Sequence, residues 1–335
     1  MSIWSAPIIP DSALVSCPPS LDRESREPVV VVEGLCKRYQ SGRTTTSGIR
    51  NLSFSLHSGE SLALLGKNGA GKSTTIRVLA TLLAADGGVA SVAGLDLLSH
   101  PSAVRPLLGV ALQETSLPRR QTASRLLRYH ARLHGLPSSD IDDIVSRLLE
   151  ELNLVHLSRR LISTYSGGER RRLDLALALI HRPRVVLLDE PTAGLDSLSR
   201  AAIWRLLRLQ LRAGAAVLFT THDLAEADAH ASRVIVIHDG VVVIDRAPHE
   251  LKRQFASRKL RIRFQTHEDA TLATGVTPSA RLTDSRYVTI PVETDGDILP
   301  LLTRIAQTGA RGEALTILDP TLDSVVTSLI DDDPR

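Results

Sequence analysis

The run Gly66-Lys67-Asn68-Gly69-Ala70-Gly71-Lys72-Ser73 combines glycines, a lysine and a hydroxyl at a spacing that suits the grip of a phosphate chain. The glycines let successive backbone N–H groups turn inward on an anionic oxygen. The Lys72 ammonium brings a point charge to the terminal phosphates, and the Ser73 hydroxyl is a ligand for Mg²⁺. An apolar run, Ser61 to Leu65, precedes the loop, and a helix-patterned run, Thr74 to Leu83, follows it. That strand–loop–helix context is what a phosphate loop requires. By itself the loop predicts nucleotide binding and no particular reaction.

Two further groups supply what the loop lacks. Val185-Val186-Leu187-Leu188 ends in Asp189-Glu190, which places carboxylates at the end of a buried strand. Asp189 is expected to hold Mg²⁺ through water. Glu190, one residue beyond, is expected to orient the attacking water or accept its proton as general base. Tyr165-Ser166-Gly167-Gly168-Glu169 opens a helical run, Arg170 to Ile180, with the Ser-x-x-Glu spacing of a capping box. The two glycines exceed what a cap needs and let backbone N–H groups approach an anion, a second phosphate-binding surface. Arg170, Arg171 and Arg172 are expected to form a solvated helix face.

Positioning these groups takes alternating strands and helices. Val29 to Glu33 and Ile49 to Leu56 read as short antiparallel strands leading into the phosphate loop. Thr122 to His134 and Ile141 to Leu152 carry helical spacing, broken by Gly135-Leu136-Pro137. Strand runs Val185 to Leu188, Ala216 to Thr220 and Val234 to Ile237 alternate with helical stretches Ser197 to Leu211 and Leu224 to Ala231, which predicts a parallel sheet. Beyond about Phe255 the pattern changes. Leu260, Ile262 and Phe264 alternate with arginines, Tyr287 to Val292 reads as a strand and Ile298 to Ala306 as a helix. The expected division is a disordered tail over 1–28, a nucleotide-binding domain over 29–255 and a small regulatory or accessory α+β domain over 256–335.

The 335-residue length suits a nucleotide-binding domain plus something smaller. A net charge of +3 gives no call for a nucleic-acid partner. The only cysteines, Cys17 and Cys36, form neither a disulfide framework nor a metal site, which fits a reducing, cytoplasmic compartment. No apolar stretch nears the roughly 20 residues that span a bilayer, and the first residues lack a signal-peptide pattern.

The order of these motifs, with Gln113, Gly194-Leu195-Asp196 and His222 in sequence around them, resembles the ATP-binding-cassette ATPases over roughly residues 29–253. Ala80-Thr81-Leu82-Leu83, Arg170-Arg171-Arg172-Leu173-Asp174-Leu175-Ala176 and Glu226-Ala227-Asp228 resemble the daunorubicin/doxorubicin-resistance ATP-binding proteins and related exporters. The fold so implied is a P-loop α/β domain with a parallel-sheet core, an antiparallel β subdomain and a helical subdomain.

The resemblance also implies roles. Gly66 to Thr74 would bind ATP, Tyr39 would stack on adenine and Thr74 would assist near the α-phosphate. Lys72 and His222 would act on the terminal phosphate beside Glu190. Ser73, Gln113 and Asp189 would surround Mg²⁺, with Gln113 relaying nucleotide state to a membrane partner. Ser166, Gly167, Gly168 and Glu169 would close on ATP held by an opposite subunit, and Asp196 would work across that dimer interface. The implied protein hydrolyses ATP on the cytoplasmic face of the cell membrane, as a homodimer that drives a separately encoded integral-membrane permease and exports drugs, antibiotics or related compounds.

The sequence departs from the family pattern at Tyr165, where Leu is commonest, and at Glu169, where Gln is. His222 departs from many relatives of the daunorubicin type. Asp319 to Val326 resembles the closing helix of that class's C-terminal domain, though with Val326 where Phe is usual. A soluble cassette switch acting on nucleic acid or ribosomes is the alternative. Such proteins usually carry two cassettes or a long coiled coil, whereas this chain has one signature and no sustained heptad run. A kinase or GTPase would leave Ser166-Gly167-Gly168 and His222 without a role.

Overall fold

The computed structural model describes residues 27–41, 44–113, 116–255, 258–292, 295–318 and Leu322. The expected tail, but for its last two residues, and the expected closing helix from Asp319, but for the buried Leu322, lie outside them. The chain divides into two compact units between Arg246 and Ala247.

The first unit opens with β1 (Pro28–Ser41) and β2 (Thr44–His57), then β3 (Ser61–Leu65) and α1 (Lys72–Leu79) on either side of the glycine loop. Next come β4 (Gly87–Val92), β5 (Leu95–Asp96), α2 (Pro101–Val104) and β6 (Leu108–Ala111). Three helices follow: α3 (Ala123–Leu133), α4 (Ser138–Glu151) and α5 (Gly167–Leu179). The unit closes with β7 (Val185–Asp189), α6 (Ser197–Arg212), β8 (Ala216–Thr220), α7 (Leu224–His230), β9 (Arg233–His238) and β10 (Val241–Arg246).

These strands make one sheet in the order β5-β4-β1-β2-β10-β9-β3-β8-β7-β6. Strands β9, β3, β8, β7 and β6 pair in parallel, and every residue of β3, β7 and β8 is buried. That is why those strands read as unbroken apolar runs rather than alternating ones. The β5-β4-β1-β2 half is antiparallel. Arg233, at the start of β9, helps pin the two halves together. Its guanidinium, 4% exposed, donates to Glu60 at 2.7 Å, to both Asp245 oxygens at 3.0 Å and to the Ser55 carbonyl. Burial pushes the Glu60 carboxyl up, but the hydrogen bond and charge of Arg233, with His57, outweigh it and hold Glu60 below the ordinary value.

The helices bury the stripes their spacing predicts. Ala123, Leu126, Leu127 and Ala131 line the buried face of α3, and Ile141, Ile144, Val145, Leu148 and Leu149 that of α4. Helix α1 is shorter than expected. It stops at Leu79, and Thr81 turns left-handed at φ 59°, so Thr81 to Leu83 lie outside it.

The second unit contains α8 (Pro248–Phe255), β11 (Arg258–Phe264), α9 (His267–Thr274), β12 (Arg281–Asp284), β13 (Tyr287–Val292), α10 (Ile298–Gln307) and β14 (Gly312–Leu318). Its division from the first unit therefore precedes α8, whereas the sequence pattern changes after it. The antiparallel sheet runs β12-β13-β11-β14. Leu260, Ile262 and Phe264 form its core with Val288, Ile290, Ala270, Ala273 and Ile305.

His181, just past α5, anchors that helix. Its ring stacks on His134 of the segment after α3 at 3.9 Å, and its Nε2 lies 3.0 Å from the Leu108 carbonyl of β6. Its Nδ1 is buried with no hydrogen-bond partner. Burial first, and His134 second, push the pKa down to about 4. The unfolded chain, with His near 6.5, therefore binds more protons between these values, so stability is full above about pH 6.5 and falls as pH drops toward 4. Thermal midpoints measured from about pH 7 to about pH 4.5 should fall less steeply in His181→Phe than in the parent, and equal slopes would remove His181 from the account.

Candidate functional site

Strands β3, β8 and β7 end side by side, and the chemistry gathers at their carboxyl ends. The loop from β3 into α1 needs its glycines for close backbone approach. A Cβ on Gly66, at φ 151°, would lie 2.3 Å from the Ile237 carbonyl oxygen, and one on Gly71, at φ 107°, would lie 2.2 Å from that of Gly48. Helix α1 has Gly71 as its N-cap and no side-chain hydrogen bond capping it. Its first-turn donors are thus left for an anion. Lys72, buried, donates from Nζ to the carbonyls of Gly66 at 2.7 Å and Lys67 at 3.2 Å. Burial lowers its pKa against the opposing charges of Glu190 and Asp189.

The loop opens on a cleft of about 670 Å³ lined by Tyr39, Asn68, Lys72, Ser73, Gln113, Glu190 and His222, among others. That is within the range, about 300–1,000 Å³, of small-molecule sites. Tyr39, 39% exposed, borders it, with its hydroxyl 3.1 Å from Thr74 Oγ1 and its ring over Gly48.

Asp189 is 1% exposed. Its Oδ1 accepts hydrogen bonds from Ser73 Oγ at 3.0 Å and Thr220 Oγ1 at 2.6 Å. A hydroxyl and a carboxylate at the floor of a phosphate cleft are the hard oxygen donors that Mg²⁺ takes, so the donor set fits that ion. Glu190 follows in the left-handed region, φ 49°, a conformation that costs a non-glycine residue about 1–2 kcal/mol. Its N–H donates to Thr220 Oγ1 at 2.9 Å. Its carboxylate accepts from Gln113 Nε2 at 3.2 Å and meets His222 Nδ1 at 3.1 Å. Gln113 thus sits on Glu190 in this structure.

The signature residues stand elsewhere. Ser166, Gly167, Gly168, Glu169 and Asp196 do not line the cleft. Ser166 caps α5 in a full capping box: its Oγ accepts from the Glu169 N–H at 3.2 Å, and Glu169 accepts from the Ser166 N–H at 2.7 Å. A Cβ at Gly167 would meet open space, whereas one at Gly168 would press on Leu195 at 3.3 Å. Tyr165 is buried and its hydroxyl donates to the Leu157 carbonyl at 2.6 Å, so the departure from Leu has its own partner. Asp196 caps α6 by accepting from the N–H and hydroxyl of Ser199 at 2.9 and 2.8 Å, bonds that lower its pKa.

One expectation is corrected. Arg170, Arg171 and Arg172 are half-buried rather than a solvated face, and Arg171 reaches inward to the ends of β6 and β7. Besides that of Arg171, the roles of two more residues escaped the sequence reading. Thr220 closes an apolar strand with no motif around it. Glu226 is buried where it accepts from Thr192 Oγ1 and, at 2.9 Å, from Trp204 Nε1, which braces the segment after Glu190.

Comparison with known proteins places these features in company. Residues 49–193 match the family model described as ABC transporter. The chain is 41% identical over 225 residues, 67% of each protein, to the doxorubicin resistance ATP-binding protein DrrA of Mycobacterium tuberculosis (strain ATCC 25618 / H37Rv). It is 34% identical over 310 residues to the daunorubicin resistance ATP-binding protein DrrA3 of Streptomyces coeruleorubidus, covering 91% of this chain and 97% of that one. A Nod factor export ATP-binding protein of Ralstonia nicotianae (strain ATCC BAA-1114 / GMI1000) is 39% identical, over 67% of this chain and 68% of that one. Among solved structures, an ATP-binding subunit of an ABC transporter superposes with a TM-score of 0.61 at 29% identity, covering 68% of this chain and 93% of that one.

Thr220→Val keeps the shape of the side chain but orphans the Glu190 N–H and strips a donor from buried Asp189. Denaturant unfolding should show a loss of about 1–3 kcal/mol, most of it restored in Thr220→Ser. An unchanged midpoint would show that the hydroxyl does not hold these groups.

Proposed function

This chain belongs to the ATP-binding proteins of the ABC transporter family and hydrolyses ATP in coupling to transport, and we propose that it does so with Mg²⁺, as one of two like domains that drive a separate membrane permease exporting drugs, antibiotics or related hydrophobic compounds. The cargo class rests on relatives named for doxorubicin and daunorubicin resistance. No helix among the described residues is long and apolar enough to cross a membrane, and the proposed seat at the cytoplasmic face is through the permease.

The position of the signature residues supports the pairing. The cleft is lined by phosphate-loop residues and Glu190, with buried Asp189 bonded to Ser73 behind them, but the Ser166 helix start and Asp196 lie off it. A second copy presenting Ser166, Gly167 and Gly168 would close the cleft over the phosphates, as the signature motif does in the family this chain resembles.

The observation that carries the catalytic reading is the Glu190 carboxylate at the cleft, held by Gln113 and His222 beside the Ser73–Asp189 pair. Hydrolysis forms a bond from water oxygen to the terminal phosphorus and breaks the bond to the bridging oxygen, with the water's proton passing to Glu190. Lys72 and the α1 N–H groups neutralise charge on the phosphate oxygens, and His222 meets the terminal phosphate. Ser73 and Asp189, with Gln113 nearby, would hold Mg²⁺, which when bound supplies further charge neutralisation. Tyr39 supports the adenine end.

Glu190→Gln keeps the shape of the side chain but cannot take a proton. Turnover should fall by at least about 100-fold with affinity for a fluorescent ATP analogue within about twofold of the parent. Parental turnover would refute Glu190 as base. In liposomes with the permease, the parent's rate should rise and the variant's should not.

A further inference from the structure

Arg171 lies in the second turn of α5, and its guanidinium spends its donors on backbone. Nε donates to the Pro191 carbonyl at 3.2 Å. One terminal nitrogen donates to the Leu112 carbonyl and lies 3.7 Å from Asp174; the other donates to the carbonyls of Asp189 at 2.6 Å and Glu190 at 3.1 Å. The side chain is only 12% exposed. Four carbonyl oxygens from two strand ends converge on one cation, an arrangement that a planar fork of five donors can satisfy and a lysine ammonium with three cannot.

These carbonyls are not arbitrary. Leu112 immediately precedes Gln113, which donates to the Glu190 carboxylate. Asp189, Glu190 and Pro191 form the turn in which Glu190 takes its left-handed φ. Thr220 holds the Glu190 N–H and Arg171 holds its C=O, so the backbone of the strained residue is fixed on both sides. Arg171 is also carried by the helix that begins at Ser166.

We propose that Arg171 is a positioning residue for hydrolysis, fixing the Glu190 turn and the Gln113 segment so that the carboxylate stays aimed at the phosphate loop, and tying that aim to the signature helix. It does not touch the substrate. The proposal rests on the reading of Glu190 as base.

Arg171→Gln and Arg171→Lys should be measured alone and in the Glu190→Gln background, by single-turnover hydrolysis, affinity for a fluorescent ATP analogue and thermal melting. Arg171→Gln should lower the hydrolysis rate by about 10- to 100-fold, as misplacement of a reacting group does, with ATP affinity within about twofold. Arg171→Lys, which keeps the charge and some donors, should fall between, and it supplies the test if the glutamine variant fails to fold. In the Glu190→Gln background either substitution should lower the residual rate by less than about twofold, because both changes remove the same contribution.

A parental rate in both Arg171 variants overturns the proposal. So does an equal fall in the Glu190→Gln background, which would mean that Arg171 acts on something other than Glu190. A fall in affinity and melting temperature that tracks the rate overturns it as well, leaving a structural role. If Glu190→Gln alone turns over at the parental rate, the base reading fails and takes the proposal with it. The single variants therefore tell the two failures apart.

Discussion

One buried carboxylate oxygen organises the site. Asp189 Oδ1 receives the hydroxyls of Ser73 from the start of α1 and of Thr220 from the end of β8. Strand β8 lies between β3 and β7, so the phosphate loop and the carboxylates are two strands apart, and Thr220 fills the step between them. An ionised carboxylate 1% exposed would be costly without such donors, since a buried charge is tolerated only when it is paired or hydrogen-bonded. The fold meets that requirement with the very groups that suit a metal ion. Loop, strand ends and Asp189 are therefore placed by one set of bonds.

The antiparallel half has a different task. It brings Tyr39 and Gly48 to the mouth of the cleft, and its approach is limited by backbone contact, with Gly48 against Gly71 and Gly240 against Arg50. Such tolerances require a fixed sheet. The Arg233 guanidinium supplies part of that fixity by joining β9 to Glu60 ahead of β3, to Asp245 in β10 and to Ser55 in β2. It is buried and far from the phosphate loop in sequence, yet it holds the sheet from which both walls of the cleft arise.

What the sequence disclosed depended on the physical source of each signal. Gly66 to Ser73 was legible because phosphate binding by backbone imposes a local pattern of residue types. The buried strands β7 and β8 were legible because burial on both faces produces continuous apolar runs. Strand β4, which starts with two glycines, and the four-residue β6 carry no such signature and are fixed by their pairing partners. Thr220 and Arg171 were hidden for a related reason. A threonine ending a strand and an arginine within a run of arginines are unremarkable by type, and their importance comes from carbonyls and hydroxyls contributed by distant segments. The end of α1 was misplaced because Leu82 and Leu83 continue a helical stripe in composition, while the backbone at Thr81 has already turned left-handed.

The two helix starts at the centre of the proposed reaction differ in a way that bears on how they work. Helix α1 begins at a glycine with no side-chain cap, so its N–H groups can turn to a ligand from the same chain. Helix α5 is already capped by its own Ser166 and Glu169. In that box the Ser166 oxygen is an acceptor for the Glu169 N–H, which leaves the hydroxyl hydrogen as a donor toward whatever faces it. The Glu169 carboxylate is spent on the Ser166 N–H. A second subunit's phosphate would therefore meet a preformed, rigid helix end offering a hydroxyl and the open Gly167, with a carboxylate close by. That charge opposes the helix dipole's attraction for an anion, where the commoner glutamine would not. The capping box gives α5 a stiff start, and on the proposed pairing the added charge would weaken its grip on a partner's nucleotide.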